Sequence, residues 1–142
     1  MKKFWQLVSK RHLVFLLVIF ALAILLSIHT SSNRVKVHFG EDLLAINSSK
    51  YSMNIVYTDM DDIDLVDSPD LGTMVEGNNT ASLRSGEWEN ELWGEYSLCM
   101  DPDASQCIVI HLKDGRVFVF NRKDNAETSK LFETLQTYLP AE

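Results

Sequence analysis

The stretch QCIVIHLKDGRVFVFNRKDNAETSKLFETLQTYLP, residues 106–140, decides the fold. Its first part, residues 106–112, is rich in β-branched residues and predicts a strand. Asp114-Gly115 follows, and this pair favours a tight hairpin turn because glycine adopts positive φ angles without strain. Residues 117–121 predict the returning strand. The stretch therefore begins with an antiparallel β-hairpin.

The hydrophobic period of the stretch changes after the second strand from about two residues to about 3.6. An apolar stripe typical of one helix face comprises Leu131, Phe132, Leu135, Tyr138 and Leu139. Asp124, with Glu127 three residues later, resembles a capping box and predicts the start of the helix. Pro140 predicts its end. We expect this final helix to pack against an antiparallel sheet.

Charge is distributed unevenly along the 142 residues, whose formal net charge is −7. All 20 acidic residues lie at or after Glu41, and four of the 13 basic residues lie before residue 13. Nine basic and 20 acidic residues therefore give the rest of the chain a charge of −11. Such a surface repels nucleic acid and anionic phospholipid head groups. It also favours solubility.

An uncharged apolar run precedes the acidic region. It begins at Leu13, ends at Ile28 and reads LVFLLVIFALAILLSI, which predicts membrane contact through a single transmembrane signal anchor. The basic excess before the run predicts a cytoplasmic N-terminus and an extracytoplasmic domain at the cell membrane. A cleaved signal peptide, cut after Ser32 to release a secreted binding domain, is the alternative. A buried soluble helix is disfavoured because the run has no polar face.

This pattern divides the chain into three parts. Residues 1–12 form a basic cytoplasmic segment, residues 13–32 the anchor and a juxtamembrane link, and residues 33–142 an extracytoplasmic domain. Within that domain, alternating or β-branched segments predict seven strands, at residues 35–39, 43–46, 51–57, 63–65, 92–99, 106–112 and 117–121. Between 67 and 91 the alternation disappears, and we expect a long, partly ordered segment. Many short strands favour a sandwich or a barrel.

Several of these segments resemble the bacterial pleckstrin-homology-like domains. The resemblance rests on LRSG at 83–86, GEYSL at 94–98, the hairpin at 108–121 and the final helix, and residues 55–65 fit the family's early strands. It covers roughly residues 35–139 and includes no catalytic motif. It implies a mainly β fold, a bent seven-stranded antiparallel barrel with a C-terminal capping helix, often preceded by a membrane segment. It implies no settled activity, since a fold does not determine function.

Candidate catalytic and metal-ligating residues are scarce. The densest acidic run lies between Asp59 and Asp70, but the sixth position of a calcium loop starting at Asp59 is Asp64 rather than glycine. The run therefore predicts a solvated strand edge. His12, His29, His38 and His111 lack the spacing of a metal pair, and no nucleophile elbow, phosphate-binding loop or dinucleotide fingerprint is present. We predict neither enzyme activity nor a cofactor.

Four aromatic residues are candidates for recognition. Trp88, Trp93, Tyr96 and Phe118 fit either an aromatic binding surface or the core of a small β domain, and the core is favoured because aromatic side chains dominate burial in such domains. Trp88 lies in the irregular segment and is the candidate for an exposed interaction residue.

Cys99 and Cys107, the only cysteines, flank a seven-residue loop between two predicted strands. If those strands pair as a hairpin, the cysteines face each other within reach of a disulfide. An extracytoplasmic location permits the bridge. Two free thiols are the alternative, since buried cysteine behaves as a small apolar residue.

The sequence as a whole predicts a membrane-anchored protein-binding or scaffolding module at the cell envelope. We expect its protein partner to bind a sheet edge or the 67–91 segment. A domain that senses a small ligand or lipid for a membrane signalling system is the alternative. The acidic balance argues against phosphorylated head groups, which require clusters of Lys and Arg.

Overall fold

A computed structural model describes residues 10–32 and 34–139 of the chain. The chain divides into two compact units, Met1–Ser32 and Asn33–Glu142. The predicted basic segment 1–12 lies outside the described residues except for its last three positions, and so does Pro140.

The described part of the first unit is one helix, α1, which spans Lys10–Ser32. Its side chains from 12 to 27 are exposed. Within the described residues, no helix is long and apolar enough to cross a membrane, so the transmembrane anchor predicted at 13–28 is wrong. The uncharged run inside this helix has 16 residues, fewer than the ~20 apolar residues that a full span requires.

Between residues 34 and 139, the second unit forms strands, one short 3₁₀ turn (Tyr57–Asp59) and a C-terminal helix. The strands are β1 (Lys36–Phe39), β2 (Leu43–Asn47), β3 (Ser52–Val56), β4 (Met60–Asp67), β5 (Thr73–Asn79), β6 (Arg84–Asn90), β7 (Gly94–Met100), β8 (Gln106–Leu112) and β9 (Val117–Phe120), and the helix is α2 (Asn125–Gln136). One sheet has the order β1-β2-β3, and the other has the order β4-β8-β9-β7-β6-β5. The mainly β class with a C-terminal helix is therefore confirmed.

The predicted seven-stranded antiparallel barrel is wrong. The described residues form nine strands in two sheets, and β7 pairs with β9 in parallel. The segment 67–91, expected to be irregular, contains the end of β4 and the β5–β6 hairpin. Its alternation is hidden because almost every residue of β5 is exposed, so this strand has no apolar face to reveal it.

Strand β9 separates the two strands that were predicted to form the cysteine hairpin. After β7 the chain skips one strand position in the sheet and forms β8. Strand β9 then occupies the position between β7 and β8. A buried amide fixes this loop, since Asn121 Oδ1 accepts from Asp101 N at 2.7 Å and Asn121 Nδ2 donates to Asp101 O at 3.0 Å. The side chain thus supplies the hydrogen bonds that the loop backbone cannot obtain from a neighbouring strand.

The first face of the six-stranded sheet carries the larger hydrophobic core. The β1–β3 sheet and α2 lie over it, and Leu44, Ile46 and Leu135 are fully buried there. Helix α2 begins as predicted, because Asp124 accepts from Glu127 N at 2.8 Å. The predicted stripe also packs on this core, with Leu135 fully buried and Leu131, Phe132 and Leu139 partly buried.

The second face carries a smaller core, made by Trp88, Tyr96, Leu98, Met100, Cys107, Val109, Val117 and Val119. The two edge strands of the sheet, β4 and β5, are joined by residues 68–72 alone, which we call the crossing segment. A flat six-stranded sheet is about 24 Å wide, whereas the chain from Asp67 to Thr73 reaches at most about 22 Å. The sheet must therefore curve, and the crossing segment covers its concave second face.

Candidate binding surfaces of the six-stranded sheet

A cavity of about 480 Å³ opens at the second face, and we call it the end pocket. The crossing segment forms one wall, and the loop at 102–105 forms another. Arg84, Trp88, Met100 and Asn79 form the part contributed by the sheet. The register explains this meeting of side chains, since Arg84 pairs with both Asn79 and Met100 on neighbouring strands.

Hydrogen bonds hold the crossing segment over the second face. Tyr96 Oη donates to Leu71 O at 2.7 Å, and Asn90 Nδ2 donates to Asp70 O at 2.8 Å. Burial raises the pKa of Tyr96, so its hydroxyl stays a donor at neutral pH. At the end of the segment, Gly72 has a φ of 71°, and a Cβ there would lie 2.0 Å from Glu89 O. Only glycine fits this turn into β5.

Arg84 is a charged group without a counter-ion in the end pocket. The other arginines described from residue 34 onward, Arg34, Arg116 and Arg122, each form an ion pair with a carboxylate. The half-buried side chain of Arg84 forms no ion pair or hydrogen bond within the described part of the chain. Asp70, which is the acidic residue of the pocket wall, accepts a hydrogen bond from Gly72 N at 2.9 Å. The pocket can therefore offer a guanidinium to an incoming anion.

Trp88 was predicted to be an exposed interaction residue, and that prediction is wrong. Its side chain is 4% exposed and belongs to the core of the second face. Its indole Nε1 is buried without a hydrogen-bond partner among the described residues. The error arose because Trp88 was assigned to a loop, whereas on β6 its pairing with Tyr96 directs it into the curved sheet. The core alternative also holds for Tyr96 and Phe118.

The predicted disulfide is not formed, and Cys99 and Cys107 are free and buried. Cys99 lies in the core of the first face, whereas Cys107 lies in that of the second. Because β9 lies between their strands, their Cα atoms are about 10 Å apart across the sheet. A disulfide spans only about 4.4–6.8 Å between Cα atoms. Burial raises the pKa of Cys99 to about 11 and that of Cys107 to about 12, which keeps both thiols protonated.

A second candidate surface lies along β5, the edge strand next to β6. Two pairs of like charges stand directly opposite each other on it and on the two strands beside it: Glu76 of β5 faces Glu87 of β6, and Glu89 of β6 faces Glu95 of β7. Because cross-strand partners share a face, all four carboxylates project from the same side of the sheet. Glu87 accepts hydrogen bonds from Tyr51 Oη and Ser97 Oγ, but the other three are exposed. We call these four residues the acidic ladder.

Two glycines give β5 and β6 a close approach beside the acidic ladder. Gly77 and Gly86 pair directly, with φ angles of 138° and 116°. A Cβ on Gly77 would lie 2.1 Å from Ser85 O, and one on Gly86 would lie 2.1 Å from Glu76 O. The hairpin therefore leaves a cleft of about 480 Å³ without side chains at its centre, bordered by Lys50, Tyr51 and Glu87.

The acidic run at the other edge has the arrangement expected of a solvated strand. Ile63 is buried, whereas Asp62 and Asp64 on the opposite side of β4 are exposed. Asp64 lies 3.6 Å from His111 Nε2, and His38 is exposed on β1. Among the described residues, no cluster of three His, Cys, Asp or Glu side chains has the geometry of a metal site.

Comparisons of the chain with models of protein families, with curated proteins and with solved structures found no match. The predicted membership of the pleckstrin-homology-like family is therefore wrong, as the two separate sheets and the parallel β7–β9 pair also indicate. The quoted motifs describe turns and alternating strands, which many unrelated β proteins share.

Proposed function

We propose that this protein is a binding module that accepts an extended, basic segment of a protein partner along β5. The observation that carries the proposal is the acidic ladder, because like charges directly opposite each other destabilise a sheet. A partner with Lys or Arg at alternate positions would neutralise these carboxylates and relieve the repulsion.

The backbone of β5 supports the same proposal. An edge strand presents unpaired N–H and C=O groups, and an extended peptide can add to them as a further strand. β5 has seven residues, and Met74 and Val75 are exposed apolar side chains on it. At the opposite edge, β4 carries Asp61, Asp62 and Asp64 on its exposed positions and is in contact with α2. β5 is therefore the better acceptor for an added strand.

The charge of the surroundings selects the partner. A cleft of about 370 Å³ at the start of β5 is bordered by Asp70, Glu89 and Glu91, which extends the negative surface beyond the ladder. A second copy of this chain would bring its own acidic ladder to the edge and would be repelled. An extended segment rich in Lys, with apolar residues between them, matches both the charge and the two exposed apolar side chains.

A labelled peptide of alternating Lys and Val tests the proposal with the full-length protein. We expect binding in fluorescence anisotropy that weakens as salt is added, because exposed charges are screened beyond about 10 Å at 0.1 M salt. Hydrogen exchange should slow in β5 when the peptide binds. The paired substitutions Glu76→Lys and Glu89→Lys should weaken binding by about tenfold or more, the effect of losing two favourable ion pairs.

Glu133→Lys is the matched control, since Glu133 is exposed on α2, away from β5 in the sequence and in the sheet order. It makes the same charge change as each of the two ladder substitutions and should leave affinity for the peptide unchanged. Equal binding of a Glu-Val peptide would contradict the charge argument. Protection at β4 rather than β5 would contradict the choice of edge.

A further inference from the structure

We propose that the end pocket binds a small organic monoanion that combines one carboxylate with a compact apolar group. This site lies on the second face, whereas the acidic ladder lies on the side of the first face, so the inference goes beyond the proposed peptide-binding function.

Arg84 supplies the charge that such a ligand needs. A guanidinium binds a carboxylate through two parallel N–H···O hydrogen bonds, and partial burial strengthens them. The guanidinium of Arg84 is available to a ligand, in contrast to that of Arg122. Arg122 also lines a surface cleft, but it donates to Val35 O at 2.8 Å and pairs with Glu127 at 3.3 Å, so its charge is already used. Arg84 has no such partner within the described residues.

Trp88 supplies a second donor and the apolar wall. An indole N–H can only donate, and leaving it buried without an acceptor costs free energy of folding. Trp88 is 4% exposed, its Nε1 lacks a partner among the described residues, and its ring lines the pocket together with Leu71 and Met100. A ligand oxygen that reached Nε1 would relieve this cost while its apolar group lay against the ring.

Asp70 sets the charge of the ligand. Its carboxylate borders the same pocket and is oriented by the Gly72 amide. A ligand with a second negative charge would be repelled by it, and by the net charge of −11 beyond residue 12. The pocket therefore favours a monocarboxylate over a dicarboxylate or a phosphate ester.

Phenylacetate is a suitable probe, and neutral phenylacetamide is its isosteric control. The full-length, ¹⁵N-labelled protein is titrated with each, and the Trp88 indole N–H resonance is identified by its loss in Trp88→Phe. We expect phenylacetate to shift that resonance saturably, and phenylacetamide to bind at least about tenfold more weakly, as the loss of a charge-assisted pair implies. Phenylmalonate, with two carboxylates, should also bind more weakly.

Arg84→Gln should reduce phenylacetate affinity by at least about tenfold, whereas Arg116→Gln, which removes an exposed arginine paired with Asp114, should have no effect. Arg84→Lys keeps the charge but loses the planar guanidinium, so its affinity for phenylacetate should lie between those of the wild type and Arg84→Gln. This variant also keeps the proposal testable if Arg84→Gln fails to fold. Equal affinity for phenylacetate and phenylacetamide would overturn the proposal. So would a titration in which millimolar phenylacetate leaves the Trp88 resonance in place.

Discussion

The two faces of the six-stranded sheet are covered in different ways. On the first face, a complete three-stranded sheet and the helix α2 bury a core in which Leu44, Ile46 and Leu135 are fully enclosed. On the second face, the five residues of the crossing segment cover Trp88 and Tyr96 and leave the end pocket beside them. Stabilisation by apolar burial scales with the area removed from water. The first face should therefore hold most of the folding free energy, and the second should open more readily.

The largest effect is expected from truncating a side chain on the first face. Leu135→Ala truncates the fully buried leucine of α2 and should lower the free energy of unfolding by about 2–5 kcal/mol. Leu71→Ala, at a half-buried residue of the crossing segment, should cost less because less of this side chain is removed from water. Urea unfolding of the full-length protein measures both variants.

Gln136→Ala provides the control for the helix, since Gln136 is exposed beside Leu135 and its replacement should change stability by no more than about 0.5 kcal/mol. If Leu71→Ala proved as destabilising as Leu135→Ala, the division of stability between the faces would be incorrect.

The two cysteines provide a second comparison, because one lies on each face. In native conditions at neutral pH, neither should react with iodoacetamide, since both are buried and burial raises both pKa values, Cys99 to about 11 and Cys107 to about 12. In urea below the main transition, Cys107 should be alkylated several times faster than Cys99 because the thin cover of the second face opens first. Peptide mass spectrometry after timed quenching measures the two rates. Identical rates at every urea concentration would show that both faces open together.

Local sequence patterns identify the parts of the fold that depend on neighbouring residues. The Asp114-Gly115 turn, the two strands around it and the Asp124 cap lie where they were predicted, because turn geometry and capping are decided within a few positions. The alternation of Ile63 with its acidic neighbours is likewise confirmed. These features required only the period of the side chains, the φ preference of glycine and the capping preference of aspartate.

Contacts distant in sequence account for what was missed. The position of β9 between β7 and β8 depends on Asn121 holding the loop at Asp101, and no periodic signal marks a lone buried amide. The same missing strand order produced the wrong disulfide. The end pocket was missed because Arg84 and the crossing segment meet only through the curvature of the sheet. The β5–β6 hairpin did leave one signal in the sequence, because the spacing of Gly77 and Gly86 fits the two arms of a hairpin.

Alkaline pH should weaken the link between the two sheets on the first face. Burial, followed by the hydrogen bond to Glu87, raises the pKa of Tyr51 to about 12, from 10.0. The folded state holds the Tyr51 proton more tightly than the unfolded state does. The contribution of Tyr51 to stability is therefore complete below pH ~10 and is lost as pH rises towards 12. Tyr51→Phe should therefore show a shallower loss of stability than the wild type across this range. Chemical denaturation at several pH values measures it, with Tyr138→Phe as a control that removes a more exposed hydroxyl. Parallel curves for wild type and Tyr51→Phe would argue against the link.

The smallest effect is expected at Ser85, and its sign is informative. Ser85 is fully buried on β6 opposite Cys99, and its Oγ has no hydrogen-bond partner among the described residues. Ser85→Ala removes a polar group whose desolvation is uncompensated, and alanine leaves no more than a small cavity. We therefore expect stability to remain within about 0.5 kcal/mol of the wild type or to rise by up to about 1 kcal/mol. Ser97→Ala is the matched control, because Ser97 Oγ does donate to Glu87, at 3.1 Å, and its loss should lower stability. If Ser85→Ala were more destabilising than Ser97→Ala, the Ser85 hydroxyl would have to be hydrogen-bonded in solution. That result would contradict the unpaired burial of Ser85 Oγ on the first face.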